Sequence, residues 1–141
     1  MKNIYLLDSS IISQVINPQA NEKLLSNIEF HTGTCCISSI TWYELQKSVA
    51  LLPESPEKTK LQAFLIDYVQ SSFPVIPYDI HAASINADIS SKLSSLGRSV
   101  PVLLPQIVSI AIANNLILVT DNTKDFDFFS KNFNLMVEEW N

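Results

Sequence analysis

Ile4-Tyr5-Leu6-Leu7 and Leu116-Ile117-Leu118-Val119 are each apolar at four consecutive positions, rich in β-favouring or branched residues, and bounded by polar residues. A strand with one face in water alternates apolar and polar residues. A run without alternation predicts a strand covered on both faces, which is the situation inside a parallel sheet. Residues 3–7 and 116–120 therefore read as strands. Residues 33–37, 73–76 and 135–137 read as three more. Pro74 places the strand at 73–76 at a sheet edge, because proline cannot donate to a ladder.

Between these strands the sequence reads as helix. Asp8-Ser9-Ser10 can cap a helix whose stripe is Ile11, Ile12, Val15 and Ile16, broken at Asn17-Pro18. Residues 21–28 form a second helix. Ser38-Ser39 caps a third to about Leu52, stopped by Pro53. Pro56 opens a fourth through Val69, Asp79 caps a fifth ending at Gly97, and Pro105 starts a sixth through Asn114. Alternation of strands and helices predicts an α/β fold: a three-layer α/β/α sandwich around a parallel sheet of four to five strands. No repeat, low-complexity tract or linker interrupts it, so residues 1–141 read as one domain.

Composition closes off several function classes. Apolar residues make up 47% of the chain and charged ones 16%, enough to build a core. No apolar run approaches 18 residues, and Met1-Lys2-Asn3 leads directly into a strand with no cleavage-site pattern, so neither a membrane helix nor a signal peptide is expected. The cysteines, Cys35 and Cys36, are neighbours in a strand and point to opposite faces, which favours reduced, buried thiols and a cytoplasmic location. Two glycines leave no phosphate cradle for a nucleotide. No nucleophile-elbow serine occurs. Ser10 stands where an Asp-x-Asp phosphatase needs its second carboxylate. The net charge of −5 means that any grip on a nucleic acid is local, metal-assisted or shared with a second subunit.

The acidic residues have an informative distribution. In an open parallel sheet, ligands collect beyond the carboxyl ends of the strands. Asp8 ends the first strand, Asp121 follows the fourth, and Glu44 lies early in the helix after the second. Asp125 follows Asp121 by one turn. Carboxylates converging at one edge repel each other until a cation binds, and hard oxygen ligands suit magnesium or manganese. Each has a plainer use: Asp8 as a helix cap, Glu44 as a surface partner of Lys47, Asp121, Asn122 and Asp125 as turn residues. Asp79, Asp88 and Asp127 read as cap or surface residues, and His31 and His81 have no partner at catalytic spacing.

The motifs in order resemble the PIN-domain family and, within it, the VapC-type toxins of bacterial toxin–antitoxin pairs. Tyr5-Leu6-Leu7-Asp8-Ser9-Ser10-Ile11-Ile12-Ser13 is similar to the family's opening. Ile40-Thr41-Trp42-Tyr43-Glu44-Leu45 is similar to the segment carrying its glutamate, and residues 96–101 to the connection before its third acid. The match is closest over residues 111–126, which include Val119-Thr120-Asp121-Asn122-Thr123-Lys124-Asp125-Phe126. Residues 137–141 resemble the family's ending. The resemblance implies a metal-dependent endoribonuclease holding Mg2+ or Mn2+ on Asp8, Glu44, Asp121 and Asp125, with Asp8, Glu44 and Asp125 as the catalytic acids and Ser10 and Asn122 in support. It implies an RNA substrate, a VapB-like antitoxin and a homodimer, with no membrane, and an interface use for the Trp42-Tyr43 pair, although core packing is the expected use of at least one of the two.

The sequence departs from the family pattern at three places. Ser10 stands for the usual Asn, and Asn122 for the fourth acid. Leu104 occupies the position of the third Asp, and no Asp or Glu lies between Asp88 and Asp121. If Pro105 opens its helix, Leu104 is the N-cap, where an Asp would be better by about 1 kcal/mol. Loss of one anionic ligand implies reduced metal affinity and slower cleavage. The alternative is a degenerate, inactive PIN domain that keeps an antitoxin-binding or self-associating surface.

Overall fold

The computed structural model describes residues 2–17 and 19–141. Five strands form one parallel sheet: β1 (Tyr5–Leu7), β2 (Cys35–Ser38), β3 (Val75–Ile76), β4 (Ile117–Val119) and β5 (Val137–Glu138), in the order β3-β2-β1-β4-β5. β1 is central, with Leu6 opposite Cys36 on one side and Leu118 on the other. β3 is an edge strand, as Pro74 required, and the Pro74 carbonyl still accepts from the Ile37 N–H at 3.0 Å. The α/β expectation holds, and the parallel sheet has the upper number of strands foreseen.

Alternation along each strand divides the interior in two. Leu6, Cys36 and Leu118 face one buried layer; Leu7, Cys35, Ile37 and Val119 face the other. The two cysteines thus point to opposite sides of the sheet, both reduced and buried. Burial in apolar surroundings pushes the Cys35 thiol up to about 11, and burial together with Cys35 pushes Cys36 up to about 12. Each fully buried Leu- or Ile-sized side chain in these layers contributes about 1.5–3 kcal/mol.

The helices are α1 (Ser9–Ile16), α2 (Glu22–Phe30), α3 (Ser39–Ala50), α4 (Pro56–Phe64), α5 (Gln70–Ser72), α6 (Ile80–Ser95), α7 (Leu103–Ala113) and α8 (Asp127–Phe133). A π-turn over Leu65–Val69 joins α4 to α5, and a 3-10 turn over Thr123–Phe126 precedes α8. Ser38 and Asp79 act as the expected caps: Ser38 Oγ accepts from Thr41 N–H and Asp79 Oδ1 from Ala82 N–H, both at 2.9 Å. α1 stops at Ile16, with Asn17 as its C-cap; Pro18, the other half of the expected break, lies outside the described residues.

Several boundaries differ from the sequence reading. α2 runs Glu22–Phe30 rather than over 21–28, because Asn21 is its cap and accepts from Lys23 and Leu24 N–H. α7 begins at Leu103 with Val102 before it, so Pro105 is the third helical residue rather than the first, and Leu104 is not a cap. The fold tolerates this because N–H groups throughout a first turn have no intrahelical acceptor, so proline forfeits nothing there. Of the Trp42-Tyr43 pair, one takes the expected core position. Trp42 packs against the layer that holds Leu45 and Val49, while Tyr43 is exposed.

Lys58, unremarked in the sequence, is buried at the α3–α4 corner. Its Nζ donates to the Ala50 carbonyl (3.2 Å) and to Glu54 Oε1 (2.8 Å), so the ammonium caps the C-terminus of α3. Elsewhere, Trp140 is buried on the ring of His31, stacked at 4.5 Å, with Tyr5 edge-on to both. Asn27 Nδ2 donates to the Trp140 carbonyl at 3.0 Å. This aromatic group gives His31 a packing role and brings Asn141 over the carboxyl edge of the sheet.

Candidate active site

All five strands point the same way, so the residues just past β1, β2 and β4 share one edge. The Asp8 N–H donates to the Val119 carbonyl at 2.9 Å, which fixes Asp8 against the end of β4. The Asp8 side chain is buried but makes no cap bond to α1. It is turned instead toward two hydroxyls. Ser10 Oγ donates to Asp8 Oδ2 at 3.1 Å, and Thr120 Oγ1 donates to the same oxygen at 2.9 Å.

Each hydroxyl is itself oriented by a backbone amide. The Asp121 N–H donates to Ser10 Oγ at 3.3 Å, and the Asn122 N–H donates to Thr120 Oγ1 at 3.1 Å. A hydroxyl has one proton to give, and these two spend theirs on Asp8 because an N–H already occupies the oxygen. The result is a carboxylate held from both sides through Oδ2; Oδ1 accepts from neither hydroxyl. Ser10 thus bonds Asp8 directly, and Asn122 reaches it only through its backbone N–H on Thr120.

Glu44 lies in the second turn of α3 and faces this carboxylate. Its Oε1 is buried with no hydrogen-bond partner. Burial and then the negative charge of Asp8 hold its carboxyl above the ordinary glutamate range, with the Ser9 hydroxyl pulling the other way. A native protein leaves few buried oxygens unpaired, and a pair of mutually repelling carboxylates with such an oxygen matches the demand of a hard cation.

Asp121 and Asp125 are engaged elsewhere. Asp121 accepts from the side-chain amides of Gln14 and Asn141 through its two oxygens. Asp125 sits exposed in the 3-10 turn. Both line a cavity of about 420 Å³ with Lys124 and Glu139. Leu104 packs against the buried layer and lines a neighbouring cavity of about 270 Å³ with Asp125, Lys124 and Arg98. Among the described residues, no group of three or more His, Cys, Asp and Glu side chains is set closely enough to hold an ion. The four carboxylates singled out by sequence thus divide into the pair Asp8–Glu44 and two outlying members.

Thr120, Gln14 and Asn141 were not foreseen. Thr120 carried a usable signal, since it ends β4 at the level where Asp8 ends β1. Gln14 and Asn141 carried none, because they reach Asp121 across 107 and 20 residues of sequence.

The chain matches the PIN domain over residues 5–131. It belongs to the PIN-domain family. Ribonuclease VapC2 of Rickettsia felis is 31% identical over 139 residues, covering 97% of this chain and 98% of that protein. The tRNA(fMet)-specific endonuclease VapC of Shigella flexneri is 29% identical over 137 residues, covering 96% of this chain and 97% of its own. The crystal structure of VapBC2 from Rickettsia felis, bound to a DNA fragment from their promoter, superposes with a TM-score of 0.82 at 28% identity, over 98% of this chain and 99% of that one. The PIN assignment accords with the parallel sheet and with the carboxylates at its carboxyl edge. No helix among the described residues is long and apolar enough to cross a membrane.

Proposed function

We propose that this PIN-domain protein is a VapC-like endoribonuclease, dependent on a divalent cation, and that residues 1–141 act as one domain. The observation that carries the reading is the Asp8–Glu44 pair: one carboxylate held through a single oxygen, and beside it a glutamate oxygen buried without a partner. Asp8 and Glu44 would hold Mg2+ or Mn2+. Magnesium suits a site with so few protein ligands, because it keeps several waters and takes its remaining ligands from substrate phosphate. When bound, such an ion supplies an activated water and neutralises charge on a phosphodiester.

The protein's own residues do the positioning. Ser10 and Thr120 hold Asp8 through Oδ2 and leave Oδ1 without a bond from either. Glu44 must be ionised to take part, and burial together with the Asp8 charge makes that ionisation harder until a cation arrives. Asp125, with Asp121, assists at one remove by orienting water. Leu104 contributes no charge, so the site works with fewer anionic ligands than the family pattern supplies. As with the relatives solved as VapBC complexes, a VapB-like antitoxin is the expected protein partner. Tyr43, exposed one residue before Glu44, is available to it or to a second copy in a homodimer.

The test is cleavage of a single-stranded RNA by protein stripped of co-purifying partner, with manganese present. Wild type is expected to cut. Asp8→Ala is expected to be slower by roughly a hundredfold or more, since loss of even an outer partner of a metal ligand costs about 10–100-fold. Equal rates in the two would end the nuclease reading and leave the inactive binding module.

A further inference from the structure

α6 ends in a motif that aims a side chain. The Gly97 N–H donates to the Ser94 carbonyl and the Arg98 N–H to the Leu93 carbonyl, at 3.0 and 2.9 Å. With Gly97 at φ +62°, this is the Schellman arrangement, and it fixes the backbone of Arg98 immediately after the helix. The Arg98 guanidinium then lies over the ring of Phe128, 4.5 Å from its centroid, which restrains the side chain without neutralising it. Across from it, the 3-10 turn Thr123–Phe126 presents Lys124.

Arg98 and Lys124 line the same 270 Å³ cavity, whose apolar wall is Val100, Pro101 and Leu104. The charge distribution there is unusual for a chain of net charge −5. Two cations face one carboxylate, Asp125. The adjoining 420 Å³ cavity has the opposite balance, with Asp121, Asp125 and Glu139 against Lys124 alone. Within 4 Å, the ion pair formed among the described residues is Lys58–Glu54, so neither Arg98 nor Lys124 is taken up by an acid. An anion approaching this edge of the sheet meets attraction on the Arg98 side and repulsion on the other.

We propose that this cavity binds a nucleotide unit of the RNA strand next to the cleaved bond, with Arg98 and Lys124 on its phosphate and the Val100–Pro101–Leu104 wall against its sugar. The assignment rests on the ribonuclease reading and names where the substrate backbone is gripped. It also gives Leu104 a use: an acid at that position would cancel the cavity's excess positive charge. Arg98 supplies a planar fork of donors for phosphate oxygens, and Lys124 a mobile point charge.

The test is fluorescence anisotropy with a labelled single-stranded RNA 12-mer in EDTA, titrated at several salt concentrations from 50 mM upward. Arg98→Gln and Lys124→Gln are each expected to weaken binding roughly tenfold and to reduce the slope of log K against log salt by about 0.7, one phosphate's worth for a single strand. Arg98→Lys should keep the slope and recover part of the affinity. Lys60→Gln, on exposed α4, should change neither. Melting temperatures equal to wild type show that the variants are folded. Unchanged slopes in both cavity variants, an equal loss in Lys60→Gln, or no binding by wild type would overturn the proposal. Cleavage by wild type in manganese, with Asp8→Ala as the uncut control, separates the two readings. Intact, cavity-dependent binding with no cutting by wild type strikes the nuclease alone. Intact cutting with cavity-independent binding strikes this inference alone.

Discussion

At the scale of single residues, the site is governed by which oxygens are satisfied. Asp8 has Oδ2 pinned by two hydroxyls, whereas Glu44 Oε1 is buried and alone. Such an arrangement is costly without a cation. Glu44 is an acid whose folded-state pKa is raised, so the native protein holds that proton more tightly than the unfolded chain. The stabilisation this gives is complete below the ordinary glutamate range and is lost as pH rises through Glu44's own value. In EDTA, Glu44→Gln is therefore expected to raise the denaturant midpoint at pH 8, with the gain shrinking as pH falls toward 5. Manganese should invert the order. At about a hundred times its Kd a bound ion adds about 2.7 kcal/mol to wild type, and the glutamine variant should gain clearly less. A variant equally stabilised by manganese would remove Glu44 from the site. The sequence displayed Asp8 and Glu44 because each follows a strand at the ligand edge. It could not display that Asp121 would be claimed by Gln14 and Asn141, since that depends on where the last residues fold back.

At the scale of elements, the ends of the helices matter more than their interiors. The strands were legible because runs such as Leu116–Val119 have no polar face to show to water, and Ser38 and Asp79 because cap residues announce themselves by type. The start of α7 was not legible. Pro105 is compatible with any position in a first turn, so the register of Leu104 rested on an ambiguous residue. The Lys58 cap on α3 was hidden as well, because an ammonium reaching back to Ala50 leaves no local pattern. Gly97 is the sharpest case of an end that serves the site. A Cβ built there meets nothing within 4 Å, so substitution carries only the strain of the left-handed backbone. Gly97→Ala is expected to cost about 1 kcal/mol, lowering Tm by about 2–4 °C for a chain of this size. If the motif aims Arg98, the same variant should also bind the RNA 12-mer less tightly. Normal stability in calorimetry would show that Gly97 is not needed for the turn.

At the scale of the whole molecule, one thin sheet separates two buried layers, and the question is whether they open together. Leu6, Cys36 and Leu118 belong to one layer and Leu7, Cys35 and Val119 to the other, yet they alternate along the same three strands. Exposing either layer requires peeling its helices away, which leaves β1, with no flanking helix on that face, open to water on a fully apolar surface. Backbone continuity through β1, β2 and β4 thus couples the two halves, and a chain of this length is expected to unfold as one unit. The paired cysteines are built-in reporters of that coupling. Burial raises both thiols to about 11 and about 12, so neither offers a thiolate at neutral pH in the folded state. With excess Ellman's reagent at low denaturant, Cys35→Ser and Cys36→Ser proteins, each carrying one thiol, are expected to react at the same rate, set by global opening. Both rates should rise together as denaturant is added, with the slope of the equilibrium unfolding curve. A faster reaction at Cys35 than at Cys36 would mean that the layer of α1, α2 and Trp140 opens by itself, and that the sheet is a hinge between two separately stable halves.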